Sequence, residues 1–223
     1  MSEDGPAATC RREVLDASIR LDSVGITRVL SEAAATIGVA VCIDEVVLPT
    51  MRQIGVWWAA GNYSIAQELM TTETVRAWLD ELSTRAPVPT HRRPVFLACG
   101  PRDRHTLAGE ALALLLRLQG WHCRVLGARI SASSLMFAVA ATPPAAVVVT
   151  SHLAAHRSHA LPAITAVHDS GTTVFYAGNA FATFESREGV KGTYLGNHIG
   201  DACTLIRGVI EPRRAPGATA ASR

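Results

Sequence analysis

Two hydrophobic periods divide this chain. From about Glu13 to Leu82 apolar positions recur every three or four residues, the spacing of amphipathic helices. Val14, Ile19 and Leu21 mark a first helix that Gly25 breaks. Val29, Leu30, Ala33 and Ala34 mark a second, ended near Gly38. Val41, Ile43, Val46, Val47, Met51, Ile54 and Trp58 share a third, which stops at Gly61-Asn62 and which Pro49 should kink or interrupt. Ser64-x-x-Gln67 is a capping-box signature opening a fourth helix, with Ile65, Leu69, Val75, Trp78 and Leu82 at helical spacing. Four short helices with tight connections predict an up-and-down bundle.

After Pro94 the period changes, and apolar runs alternate with helical stretches as in a doubly wound parallel sheet. Pro94 to Cys99 reads as a buried strand, followed by a Gly-Pro break, a short loop and an Ala/Leu-rich helix that Gly120 closes. Trp121 to Leu126, Ala145 to Ser151 and Thr172 to Tyr176 are further strands. Ser131 and Ser158 are expected to cap the helices between them, and Ile199 to Ile210 forms the last helix. The organisation expected is α/β: a tail over 1–12, a bundle over 13–83, a proline-rich basic linker over 84–93, a sheet domain over 94–211 and a frayed tail over 212–223. The linker arginines Arg92 and Arg93 are read as solvated.

Composition narrows the function. Hydrophobic residues make up 48% and charged residues 18%, as in a globular chain. No apolar run reaches the roughly 18 residues of a membrane span, and residues 1–12 lack the features of a signal peptide. A net charge of +2 gives no case for nucleic acid. Cys10, Cys42, Cys99, Cys123 and Cys203 are scattered and odd in number, which points to a reducing cytoplasm. No nucleophile elbow, Walker loop or glycosidase acid pair is present, so no enzymatic activity is expected.

The chemistry gathers in the loop after the first strand. His105 can offer a neutral ring nitrogen to a metal while Asp103 bonds the other nitrogen and fixes the tautomer. One carboxylate and one histidine cannot close a metal site. They can supply one axial ligand to a metal that arrives with its own macrocycle. His152, His156 and His159 form a rival set for zinc or nickel if one helix face carries all three.

Asp103-x-His105-x-x-Ala108 resembles the Asp-x-His-x-x-Gly loop of cobalamin-binding domains of the methionine-synthase type, with alanine in place of the last glycine. The resemblance implies a flavodoxin-like five-stranded sheet, its fifth strand near Thr193–Leu195, and His105 as lower axial cobalt ligand in place of dimethylbenzimidazole. Ser151-x-Leu153 is similar to the family's Ser-x-Leu segment along the nucleotide tail, and Ala177-Gly178 falls where the family has Gly-Gly. In the bundle, Trp58 followed by Glu68-Leu69 resembles the Trp-x9-Glu-His motif of cobalamin-dependent photoreceptors, with leucine replacing histidine. That resemblance implies Trp58 over the upper face of the cofactor and Glu68 on the adenosyl ribose.

The resemblance covers about residues 13–211 and implies a light-sensing module with adenosylcobalamin as cofactor. The bundle begins close to Met1, leaving no room for the family's helix-turn-helix reader. Output through a separate protein effector is therefore expected, without direct DNA binding, and self-association into a homo-oligomer stays open. A corrinoid carrier for methyl transfer, a dual-chromophore sensor that also holds biliverdin against Leu69, and a cofactor-free interaction module remain as alternatives.

Overall fold

A computed structural model describes residues 5–211. The bundle opens with α1 (Pro6–Ile19) and α2 (Ser23–Ile37). The first helix thus begins at Pro6, so residues 6–12, expected in a tail, belong to it; the C-terminal tail lies outside the described residues. Gly25 is not a break. The chain turns at Arg20–Asp22, with Leu21 at φ 58°, and Asp22 caps α2 by accepting the Gly25 N–H at 2.8 Å. A Cβ on Gly25 would lie 2.3 Å from that carboxylate, so glycine here serves the cap.

The third helical stretch is interrupted as the proline predicts. α3 (Val39–Cys42) runs into a π-helical turn, Ile43–Val47, and then α4 (Leu48–Ala59). Pro49 has no N–H for the carbonyl four residues back, and a wider turn takes up the misfit. That carbonyl, Glu45, accepts instead from Arg11 at 2.8 Å. α5 (Ile65–Thr84) starts from the expected reciprocal box: Ser64 caps the Gln67 N–H at 3.2 Å, and Gln67 answers the Ser64 N–H at 2.9 Å. Trp78 on α5 is buried and donates to Ser31 at 3.2 Å.

The sheet is all parallel in the order β2-β1-β3-β4-β5. Its strands are β1 (Val95–Cys99), β2 (Cys123–Gly127), β3 (Ala146–Thr150), β4 (Val174–Ala177) and a short β5 (Thr193–Tyr194). Between them lie α6 (Leu107–Leu118), α7 (Ala132–Ala141), α8 (Arg157–Asp169) and the single turn α9 (Phe184–Arg187); α10 (Ile199–Ile210) follows β5. Ser131 caps α7 as expected, but Ser158 caps nothing. α8 grows out of a 3-10 turn, Ala154–His156, one residue earlier, with no side-chain cap.

Side-chain alternation sorts β1 onto two cores. Phe96 and Ala98 face α7 and α8, while Val95 and Leu97 join α6, α10 and the bundle residues Val14, Ile26 and Trp78 in one continuous core. The bundle is therefore packed on one face of the sheet. The intervening stretch is pinned as well. His91 stacks on Trp121 at 3.6 Å and pairs with Glu211 at 3.0 Å, and Arg93 donates to the carbonyls of Pro143 and Pro144. Arg93 is thus hydrogen-bonded rather than simply solvated.

Asp44, in the π turn, spans the two parts by accepting the Ile199 and Gly200 N–H groups at 2.6 and 2.9 Å. These are otherwise unpaired donors at the start of α10, whose own N-cap His198 offers no side-chain bond. Asp44→Ala should lower stability by about 1–2 kcal/mol, as for a lost cap. An unchanged urea midpoint would show the carboxylate to be dispensable.

Candidate functional site

Chain order reverses at β1, with β2 on one side and β3 on the other. Loops leaving such a switch point splay apart and open a crevice at the carboxyl ends of the strands. Gly100 donates to Thr150 O at 2.9 Å, so the two loops leave the sheet tied together. The first loop then folds around Asp103. Arg129 from the β2–α7 connection donates its N–H to Asp103 O at 3.1 Å, and both Arg102 (φ 66°) and Arg129 (φ 56°) are held in the left-handed region that side chains disfavour. Strain of this kind gathers where neighbouring structure over-determines a loop.

Asp103 is completely buried, and its carboxylate accepts hydrogen bonds from two loops. Oδ1 meets the His105 ring Nδ1 at 2.6 Å and the His105 N–H at 3.1 Å, while Oδ2 accepts the His152 N–H from the loop after β3. The His152 ring Nδ1 stands 3.8 Å from Oδ2, too far for a hydrogen bond. Burial opposes ionisation of Asp103, yet the donors of His105 and His152 outweigh it and hold the carboxyl well below the usual carboxylate range. The same bond raises the His105 pKa above its ordinary value. Burial works against that rise, and the charges of Asp103 and Glu68 add to it. With Nδ1 engaged, the His105 tautomer is set and Nε2 is the nitrogen left for a metal.

Glu68, in the first turn of α5, contributes its negative charge to the rise at His105, and its Oε1 accepts from Thr72 at 3.1 Å. Leu69 beside it is 52% exposed. Of the two adjacent tryptophans at the end of α4, Trp57 packs against Tyr63 with ring centroids 6.1 Å apart, and Trp58 is the one left 52% exposed. Ala108 sits in the first turn of α6, partly buried against the core shared with the bundle.

Past β3, Ser151 is fully buried with an Oγ that has no hydrogen-bond partner, and Leu153 is 45% exposed. Ala177 ends β4 and its carbonyl accepts the Ser151 N–H at 3.0 Å. Gly178 follows at φ 104°, so close to β3 that a Cβ would lie 2.1 Å from Ser151 O. Asp103, His105, Ser151 and Gly178 therefore line adjoining loops at one end of the sheet, and α5 brings Glu68 to the same end. The sequence groups His152 with His156 and His159. Among the described residues that set does not converge on a metal: a 3-10 turn separates His152 from α8, and the His156 and His159 rings stand edge-on at 6.4 Å. The partnership of His152 with Asp103 had one local signal, its place at a strand end beside Ser151.

Comparison with known proteins agrees with this architecture. The B12 binding domain family matches residues 10–83. The HTH-type transcriptional repressor CarH of Myxococcus xanthus is 36% identical over 138 residues, 62% of this chain and 46% of that protein. The HTH-type transcriptional repressor CarA of the same organism is 29% identical over 141 residues, 62% of this chain and 47% of that protein. The chain thus spans about half the length of the curated relatives it matches. In fold, the Methanosarcina barkeri monomethylamine corrinoid protein superposes with a TM-score of 0.74 at 12% identity, over 90% of this chain and 98% of that one. A helical bundle packed on a five-stranded parallel sheet, a match of residues 10–83 to the B12 binding domain family and a likeness to the CarH repressor over 62% of the chain together support a B12-binding module.

Proposed function

We propose that this chain senses light through adenosylcobalamin and signals through a separate protein partner, without enzymatic activity of its own. The observation that carries the reading is the 2.6 Å bond between buried Asp103 and the half-exposed His105 ring, which readies one imidazole nitrogen as an axial donor. The surroundings fit a corrinoid in two further ways. The buried Ser151 hydroxyl lacks a partner, and a buried polar group in that state implies an absent one. Trp58, Leu69 and Leu153 leave large apolar surface uncovered, which suits a bulky flat ligand.

In this reading His105 is the lower cobalt ligand, and Ser151 and Leu153 line the path of the nucleotide tail beside Ala177 and Gly178. Ala108 bounds the same path with a methyl group more than the family's glycine. Trp58, Glu68 and Leu69 close the upper face from the bundle. When bound, adenosylcobalamin supplies a cobalt–carbon bond that visible light breaks. The residues orient the ligand, exclude water and pass its change to the bundle. All five cysteines are free, in keeping with the reducing cytoplasm proposed as its compartment. Among the described residues no helix is long and apolar enough to cross a membrane.

The test is an absorption spectrum of the full chain with adenosylcobalamin before and after green light. A corrin band that stays with the protein through gel filtration and changes on illumination supports the sensor. A retained band indifferent to light supports a corrinoid carrier instead, and no retained band supports an interaction module. Trp58→Ala and Glu68→Gln are each expected to weaken adenosylcobalamin several-fold; unaltered affinity and photolysis in both would leave the bundle a packing domain only. Leu69 is the observation behind a second reading, in which its exposed side chain receives biliverdin. Co-expression with a haem oxygenase that yields no red-absorbing band would end it.

A further inference from the structure

Cys99 closes β1, Asp103 lies in the loop beyond it, and His152 follows β3. One ligand atom from each, Sγ, a carboxylate oxygen and a ring nitrogen, lies within 4.8 Å of the other two. We infer that these three residues form a binding site for a free divalent ion of the zinc type in the corrinoid-free protein.

Three features support the site. The donor set mixes sulfur, nitrogen and oxygen, which suits zinc-type ions, whereas calcium and magnesium require all-oxygen shells. The ring Nδ1 of His152 is buried and has no hydrogen-bond partner, so ordinary packing leaves it unsatisfied. The geometry is also nearly closed. Zinc bonds of about 2.0–2.3 Å place tetrahedral ligands roughly 3.3–3.8 Å apart, so a shift on the order of 1 Å completes it. Three protein ligands leave the fourth position for water. The Cys99 thiol, pushed up to about 12 first by burial and then by the charge of Asp103, gives its proton to solvent as the ion binds.

The site has a consequence that rests on the cobalamin reading above. Asp103 also holds His105 Nδ1, and the His105 and His152 rings are 5.7 Å apart. An ion on Asp103 draws the carboxylate away from His105 and loosens the axial donor. Zinc and cobalamin then oppose each other, by the same factor in both directions. Saturating Zn2+ is expected to weaken adenosylcobalamin by about 10-fold, the lower end of the effect of losing an outer-shell partner.

The decisive probe is Co2+ added to the full chain free of corrinoid. One Co2+ per chain should bind with a thiolate-to-cobalt charge-transfer band that Zn2+ displaces. Cys99→Ser should lose the band, and His152→Gln, at the edge of the site, should weaken Co2+ at least tenfold with an unchanged circular dichroism spectrum. A band absent from the parent protein, or one that survives in Cys99→Ser, overturns the site. His105→Ala separates the two readings, because it should retain the Co2+ band while losing cobalamin. A parent protein that takes Co2+ in this way yet never binds cobalamin would sink the sensor and spare the zinc site. Equal cobalamin affinity with and without Zn2+ would overturn the antagonism.

Discussion

A His105→Ala protein is expected to emerge from gel filtration without adenosylcobalamin, its affinity reduced beyond the roughly 10–100-fold typical of losing a residue that only orients a ligand. The side chain proposed to meet cobalt is then gone, and the buried Asp103 loses one strong donor. Asp103→Asn should fall between parent and His105→Ala, within about 10–100-fold of the parent. An amide can still accept from Nδ1–H, but it lacks the charge that strengthens the ring as a donor. The order parent, Asp103→Asn, His105→Ala in cobalamin affinity is the signature of a histidine ligand with a carboxylate behind it. A His105→Ala protein that keeps the parent's cobalt spectrum would remove His105 from the metal. In His105→Ala the His152 N–H still bonds the Asp103 carboxylate, so the loop after β1 keeps a tie to β3, whereas in Asp103→Asn the amide nitrogen that replaces Oδ2 cannot accept that N–H.

Gly178→Ala is expected to be the most damaging single methyl addition, lowering stability by about 3 kcal/mol or more. Two penalties add. Gly178 has φ 104°, outside the region that residues with a Cβ adopt readily, and the new methyl would lie 2.1 Å from Ser151 O and 2.7 Å from its carbonyl carbon. Those are backbone atoms at the end of β3, so no side chain can turn aside. β3 and β4 would have to part where Ser151 N–H meets Ala177 O. Gly189→Ala is the control. Its φ of 70° is also left-handed, but nothing lies within 4 Å of an added Cβ, so only the conformational cost of about 1–2 kcal/mol should appear. For a chain of this size a 3 kcal/mol loss corresponds to roughly 6–12 °C in Tm. Equal Tm values for the two variants would show that the contact with β3 relaxes without cost.

Much of the architecture is legible from neighbours in sequence. The Ser64/Gln67 box, the Ser131 cap and the interruption before Pro49 each involve residues three or four apart. Asp103 and His105 stand two apart, so their bond is a local event as well. Local signals mislead where two solutions are locally equivalent. Gly25 looks like a helix break, yet it is the third residue of a helix whose cap needs the space; Ser158 looks like a cap, yet a 3-10 turn starts the helix before it.

By itself, the sequence determined the two periodicities, the strand and helix succession and the loop that carries Asp103 and His105, because each rests on backbone geometry repeated over a few residues. Only the tertiary structure decided that the bundle shares a core with one face of the sheet and that Arg93 is bonded to the Pro143–Pro144 turn. It alone brought His152 and Cys99 to the Asp103 carboxylate and set Asp44 on a helix more than 150 residues away. The physical reason is common to all of these. A buried carboxylate must find donors wherever the fold supplies them, and the donors nearest in space are fixed by strand order, which leaves no trace in the spacing of the residues concerned.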